Sequence, residues 1–403
     1  MNTYQKKERF FLVLILGLLT AMGPLSIDLY LPAFGDIAQS LGTDISSVSL
    51  SLSSYFIGLS IGQVIYGPFL ERFGRKKPIY IGVLIYIFAA LGCAATTSVQ
   101  GLIVYRFFQA LGACGGLVAA RAVVRDLFDT REVARVFSML IMVVAVSPII
   151  APTLGGYITT HFHWRYVFGL LVVLALLILA GTIILLPESR PPNPAYSMRP
   201  ASILKNYREV LRNPHFFIFA ISGSIAYAGV YAYLSGSPHL YLEIFGVSQS
   251  QYGLIFAFVA AGLIGASQVN NLILHRYSSE NIIWMALILQ SAIAVILLAV
   301  YMLDYAGFYT ITLLLFAYLC CLGFIFPNAS ALSLSGLGHT AGNASALLGG
   351  IQMVMGALAS ALVSFFLDQT SIAMFLVLNV CAFSALGLLS FGSRRFAMRL
   401  SGS

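Results

Sequence analysis

Charge is what this chain has least of. Only 9 % of its 403 residues are Asp, Glu, Lys or Arg, against roughly 25 % in an ordinary soluble domain. That scarcity excludes a soluble enzyme, a disordered chain and a nucleic-acid binder. Cysteine is sparse too. Cys93, Cys114, Cys320, Cys321 and Cys381 all sit in apolar stretches without ligand-like spacing, which argues against a disulfide framework or a metal site. His161 and His163 have the spacing of metal ligands, but no carboxylate or thiol stands near them, so no metal is expected. A phosphate-cradling G-x-x-x-x-G-K-S/T loop is missing and the polar segments are too short for a nucleotide domain, so neither ATP hydrolysis nor any cofactor is expected.

What is abundant is apolar surface. Hydrophobic residues make up 59 % of the chain, about 238 side chains. At about twenty per membrane-crossing helix, that supplies about twelve helices. Cut at charges and turn residues, the runs fall near 10–34, 46–70, 78–97, 101–124, 133–158, 165–186, 215–237, 249–274, 282–303, 307–330, 341–367 and 371–392. They do not alternate polar with apolar, as barrel strands would. The first run is too long for a signal-peptide core and no small-x-small cleavage site follows it, so it is kept in the mature protein. The fold class expected is therefore an all-α polytopic membrane protein with twelve transmembrane helices.

The basic residues give the orientation. With the N-terminus in the cytoplasm, 19 of the 22 Lys and Arg fall in inner segments, the bias expected of cytoplasmic loops. Both termini are expected in the cytoplasm, and topology accounts for the net charge of +8 without an anionic partner. The longest polar interval, 188–214, is rich in proline and reads as a cytoplasmic linker between six-helix halves 1–187 and 215–403. A shift of 204 residues aligns Leu70, Arg72 and Phe73 with Leu274, Arg276 and Tyr277. Such weak internal symmetry is expected of transporters built from parallel halves.

After the second run the chain reads Gly67-Pro68-Phe69-Leu70-Glu71-Arg72-Phe73-Gly74-Arg75-Lys76-Lys77. This resembles the G-x-L-a-D-r-x-G-r-k loop of the major facilitator superfamily, with Glu71 in the place of Asp and Phe69 in that of Leu. Gly67 and Gly74 allow a tight turn, while Glu71, Arg72 and Arg75 are suited to an ionic latch. The fourth run holds Arg106-Phe107-Phe108-Gln109-Ala110-Leu111-Gly112, similar to the superfamily's R-x-x-Q-G-x-G pattern. It ends in a stretch, Ala120 to Asp126, that resembles the RAVVRD segment of the Bcr/CflA exporters. That resemblance implies a pair between Asp126 and Arg75. The fifth run carries Ser147-Pro148-Ile149-Ile150-Ala151-Pro152-Thr153-Leu154-Gly155-Gly156, which looks like the antiporter signature G-x-x-x-G-P-x-x-G-G. Ser147, Ala151, Pro152, Gly155 and Gly156 thus mark a deformable seam.

Asp28, in the stretch SIDLYLPA, is read as the one acid inside an apolar run. An intramembrane carboxylate either pairs with a cation or takes up a proton. Arg106 lies at comparable depth, so the two are expected to meet and to couple protons. The SIDLYLPA stretch also resembles the first-helix signature of Bcr/CflA exporters. Tyr30, Gln109, Tyr227, Tyr231, Asn328 and Gln352 supply uncharged polar groups for a broad substrate cavity.

The resemblance implies a proton-coupled antiporter of the Bcr/CflA type, exporting drugs or other small amphiphiles, multi-pass in the bacterial inner (plasma) membrane. It is not expected to be an enzyme. The alternatives are a narrow transporter of a sugar, nucleoside, peptide or siderophore and, from another class, a channel or non-transporting receptor. The expected partners are substrate, protons and membrane lipid, without nucleic acid, and the protein is expected to act as a monomer.

Overall fold

A backbone immersed in hydrocarbon must satisfy its own hydrogen bonds, and this one does so with helices. The computed structural model describes residues 6–128, 130–194, 200–303, 305, 307–335, 337, 341–366 and 372–400. Among these the chain forms α1 Lys6–Asp28, α2 Phe34–Leu41, α3 Ile45–Phe73, α4 Lys76–Ala95, α5 Val99–Leu127, α6 Thr130–His161 and α7 Arg165–Leu185. They are followed by α8 Pro200–Leu211, α9 Pro214–Pro238, α10 Gln249–Ile273, α11 Ser279–Met302, α12 Phe308–Leu334, α13 Ala341–Phe366 and α14 Ile372–Leu400. Twelve stretches among the described residues are long and apolar enough to cross a membrane. Large apolar side chains such as Ile184, Leu272 and Phe365 stand exposed on them. Such a surface suits lipid.

Local chemistry sets the ends. Asp44, just before α3, accepts the Ser47 backbone N–H at 2.7 Å, and Asn213 caps α9 by accepting from His215 at 3.0 Å, with Pro214 opening the helix. Hydrogen bonds from Ser47 hold the Asp44 carboxyl below the ordinary carboxylate range. The cap therefore contributes fully above the unfolded-state pKa, and its contribution is lost as pH falls through the lower folded value. Asp44→Ala is expected to cost about 1 kcal/mol, read as a lowered melting temperature at neutral pH and a smaller difference in acid. An unchanged melting temperature at neutral pH would remove the capping role.

Three expectations change. The first span runs Phe10–Leu41, beyond the 10–34 run, because the chain breaks after Asp28, makes a short 3₁₀ turn at Leu31–Ala33 around Pro32 and resumes as α2. Gly42, at φ 63°, supplies the left-handed residue that ends it. The seventh span likewise runs Pro214–Ile244, carried past the 215–237 run by a π-helical stretch at His239–Ile244. Asp36 and Glu243 consequently join Asp28 inside spans, so Asp28 is not alone. Third, the 188–214 interval is not all open linker: α8 forms with Pro200 at its start, and Val210 packs with Phe216, Ala220, Leu337, Ala344 and Leu348.

Contacts group the chain into two compact units. Unit 1 comprises 1–202 with 248–257, and unit 2 comprises 203–247 with 258–403. In unit 1, α5 packs against α3 and α4, and α1 against α6; in unit 2, α9 packs against α12, α13 and α14.

Candidate functional site

The helix break in the first span places Asp28 at the end of α1, buried, where the Ser147 hydroxyl of α6 donates to its Oδ2 at 2.9 Å. Small residues on α6 permit this approach. A Cβ on Gly155 would run into the carbonyl oxygen of Leu29, and one on Gly156 would meet that of Gln249 at 2.6 Å. Ala151 is buried in the same seam, next to Pro152, whose carbonyl lies 2.6 Å from where a Gly253 Cβ would stand. Within unit 1, the Gln249 amide also donates to Asp36 at 2.6 Å.

Arg106 does not meet Asp28, which corrects the expected pair. No ion pair joins them among the described residues. The reason lies in the aromatic wall around the guanidinium. Its centre sits 4.5 Å from the Tyr30 ring and 4.2 Å from the Tyr55 ring, and Nη1 donates to Gln109 Oε1 at 2.7 Å and to the Ser26 carbonyl at 3.1 Å. Cation–π contacts in a desolvated setting are worth about 2 kcal/mol each. Tyr30 is anchored by a 2.8 Å hydrogen bond to Ser51, and Tyr55 donates to the Gly23 carbonyl at 3.3 Å. Ser26 donates to Met22 O at 2.6 Å, so the Tyr86 hydroxyl, 2.6 Å away, donates to Ser26. Among the described residues, Nε and Nη2 of Arg106 remain buried donors without a hydrogen-bond partner. Tyr30 and Gln109 therefore enclose the arginine and do not line an open cavity.

At the end of unit 1 that carries the loop after α3, Arg75 is buried and its Nε donates to Asp126 Oδ2 at 2.7 Å. Glu71 accepts from the same guanidinium at 3.2 Å. Burial works against the charge of Arg75, but the Asp126 and Glu71 carboxylates outweigh it and raise its pKa. Gly74, at φ 81°, makes the turn, and Gly67 faces open space. Sequence reading missed what closes over this loop. Both oxygens of Glu188 accept backbone N–H groups, from Arg75 at 2.6 Å and from Lys76 at 3.2 Å. Ser189 donates to Asp126 at 3.0 Å, Arg190 pairs with Glu71 at 3.1 Å, and Arg72 donates to the Pro194 carbonyl. No spacing rule announces that residues 188–194 fold back as a strap.

In unit 2, the Tyr227 and Tyr231 rings meet edge-on at 5.9 Å and Tyr227 packs on Phe326 at 4.5 Å. Gln352 is buried. Asn328 has a different job from the one expected: its amide donates to Asn270 Oδ1 at 2.7 Å, tying α12 to α10. A side-chain amide in a span needs a partner, and a second amide supplies it.

The family model described as Major Facilitator Superfamily matches residues 16–360, and the chain belongs to that superfamily. It is a transporter and not an enzyme, a multi-pass protein of the bacterial inner (plasma) membrane. Among curated relatives it is 32 % identical over 96 % of its length to an uncharacterized MFS-type transporter, YdgK, of Bacillus subtilis, covering 95 % of that protein. It is 28 % identical to the bicyclomycin resistance protein homolog of Haemophilus influenzae, covering 94 % of each chain. To multidrug resistance protein D of Escherichia coli it is 30 % identical over 91 % of each. The fold is shared with a crystal structure of a D-xylose–proton symporter, with TM-score 0.78, 14 % identity and coverage of 94 % of this chain and 97 % of that one.

Proposed function

We propose that this transporter is a proton-coupled antiporter that exports drugs or other small amphiphilic molecules from the cytoplasm. The observation that carries the reading is Asp28: a carboxylate buried in a broken span, whose hydrogen-bond partner is the neutral hydroxyl of Ser147. A carboxylate so placed holds its charge at high cost and binds a proton readily. The drug-resistance names of the relatives support the export of amphiphiles. The reading takes both termini as cytoplasmic, the chain as a monomer, and 1–187 and 215–403 as the halves that alternate access. Tyr227, Tyr231 and Gln352 supply aromatic and polar substrate contacts.

Arg106 is assigned the role of a buried cation whose Nε and Nη2, without a hydrogen-bond partner among the described residues, await an acceptor. It need not touch Asp28 at every stage, because a carboxylate leaving Ser147 has donors to go to. Arg106→Lys is expected to keep partial transport, since the charge over the two tyrosines survives, whereas Arg106→Ala is expected to slow transport by about tenfold or more. Unchanged rate and pH profile in Arg106→Ala would reduce the residue to packing. The reading as a whole is tested in everted vesicles with an imposed pH gradient and a panel of amphiphilic dyes and antibiotics. Absence of gradient-driven movement for every compound would overturn it.

A further inference from the structure

We propose that His239 and Glu243 form a second proton-binding site in unit 2, at the far end of the seventh span. The proposal rests on the antiport reading and extends it from one proton to two. Its basis is a polar line along one helix. Tyr227, Tyr231, Ser235, His239 and Glu243 recur at every fourth residue, so each neighbours the next one turn on, along a stripe that winds slowly round the helix. Glu243 is 48 % exposed and His239 only 9 %, so the line begins at a group water can reach and continues into one it cannot. The imidazole Nδ1 is hydrogen-bonded to a Glu243 carboxylate oxygen. One turn further in, Ser235 is fully buried and shares a hydrogen bond with Ser360 of α13.

Three features set this pair apart from an ordinary i,i+4 contact at a helix end. His239 is buried within the seventh membrane-crossing stretch, Pro214–Ile244, where ionisable side chains are costly and serve function, while Glu243 stands at the very end of that stretch. The helix there widens from α to π over His239–Ile244, and short π-helical turns recur at functional positions. The other ring nitrogen, Nε2, is buried without a partner among the described residues. A purely structural histidine would leave that atom desolvated with nothing gained. As a proton site the arrangement is complete. With the neutral ring in its Nε2–H tautomer, Nδ1 carries the lone pair; a proton from hydronium adds to the Glu243 carboxylate, and its O–H bond then breaks as an N–H bond forms at Nδ1. The ring becomes imidazolium and Glu243 its counter-ion, and release reverses these steps. The other titratable side chain on this stretch, Tyr241, is engaged with Thr312 of α12 at 3.1 Å, and Phe308 packs beside it. The described residues place no further charge at ion-pair distance from His239 or Glu243.

The test is charge stoichiometry, with ethidium, a monovalent cation, as the probe. Exchange of one cation for two protons moves net charge, whereas exchange for one does not. In proteoliposomes, wild-type efflux is expected to respond both to a pH gradient and to a potassium-diffusion potential. His239→Gln and Glu243→Gln are each expected to keep the response to the pH gradient and lose the response to potential. At about 100 mV, one net charge is worth a factor of about 50 in the steady-state gradient. A mere packing defect slows transport without changing this ratio, and two separate variants guard against one that fails to fold. A wild type that ignores potential while obeying the pH gradient, or variants that keep the full response to potential, would overturn the second site. A wild type driven by neither gradient would instead overturn the antiport reading.

Discussion

The Asp28→Asn variant is expected to insert at wild-type abundance and to show no efflux driven by a pH gradient. Asparagine keeps the size of the side chain and an oxygen to accept from Ser147, so the 2.9 Å contact can persist. What it loses is the ability to bind and release a proton. The expected drop is to the rate of vesicles lacking the protein, measured as gradient-driven dye movement. Downhill exchange of labelled for unlabelled compound is expected to continue, which separates lost coupling from lost folding. Full gradient-driven transport by Asp28→Asn would remove the central assignment.

The second large effect concerns the latch between Arg75 and Asp126. The side chains are only 2 % and 16 % exposed, so the pair is far drier than an exposed loop would make it. Breaking a buried pair by removing one partner costs about 3 kcal/mol or more, well above the 0–1 kcal/mol of a surface pair. Arg75→Asp and Asp126→Arg are each expected to stop transport, since a charge is left unpaired and, in Arg75→Asp, a second carboxylate faces Glu71. The double reversal is expected to recover transport only in part. Glu71, 3.2 Å from the original guanidinium, repels the new acid, and Ser189 is placed for a carboxylate at 126. A double-mutant cycle should show coupling of about 2 kcal/mol between the two positions. Strictly additive losses would mean that the latch carries no energy of its own.

The spans were legible because hydrophobicity over twenty residues is a local property with a large signal. Their exact reach was not. The continuation of the first span through Pro32 into α2, and of the seventh into a π-helical turn, depends on packing that no run length reports. The site divides along the same line. Gly155 and Gly156 announce close approach, and the structure brings Leu29 and Gln249 backbone against them. Depth counting put Asp28 and Arg106 at a similar level, but depth is one coordinate of three. Around the helix axes, Asp28 turns toward Ser147 and Arg106 toward Tyr30 and Tyr55. Tyr55 carried no signal at all, being one aromatic among 52. The Glu188 strap was equally silent, because a polar stretch between two apolar runs reads as solvent-facing whatever it folds onto.

The thiols have a practical consequence. All five cysteines among the described residues are free; four are buried and Cys320, half-buried, lies on a span. A charged maleimide that stays in water has poor access to any of them. Single cysteines introduced at Lys77 or at Tyr305, both exposed, can therefore be read against a nearly blank native background. Labelling intact cells from outside would modify Tyr305→Cys and spare Lys77→Cys if both termini are cytoplasmic, and would give the opposite pattern if the chain is inverted.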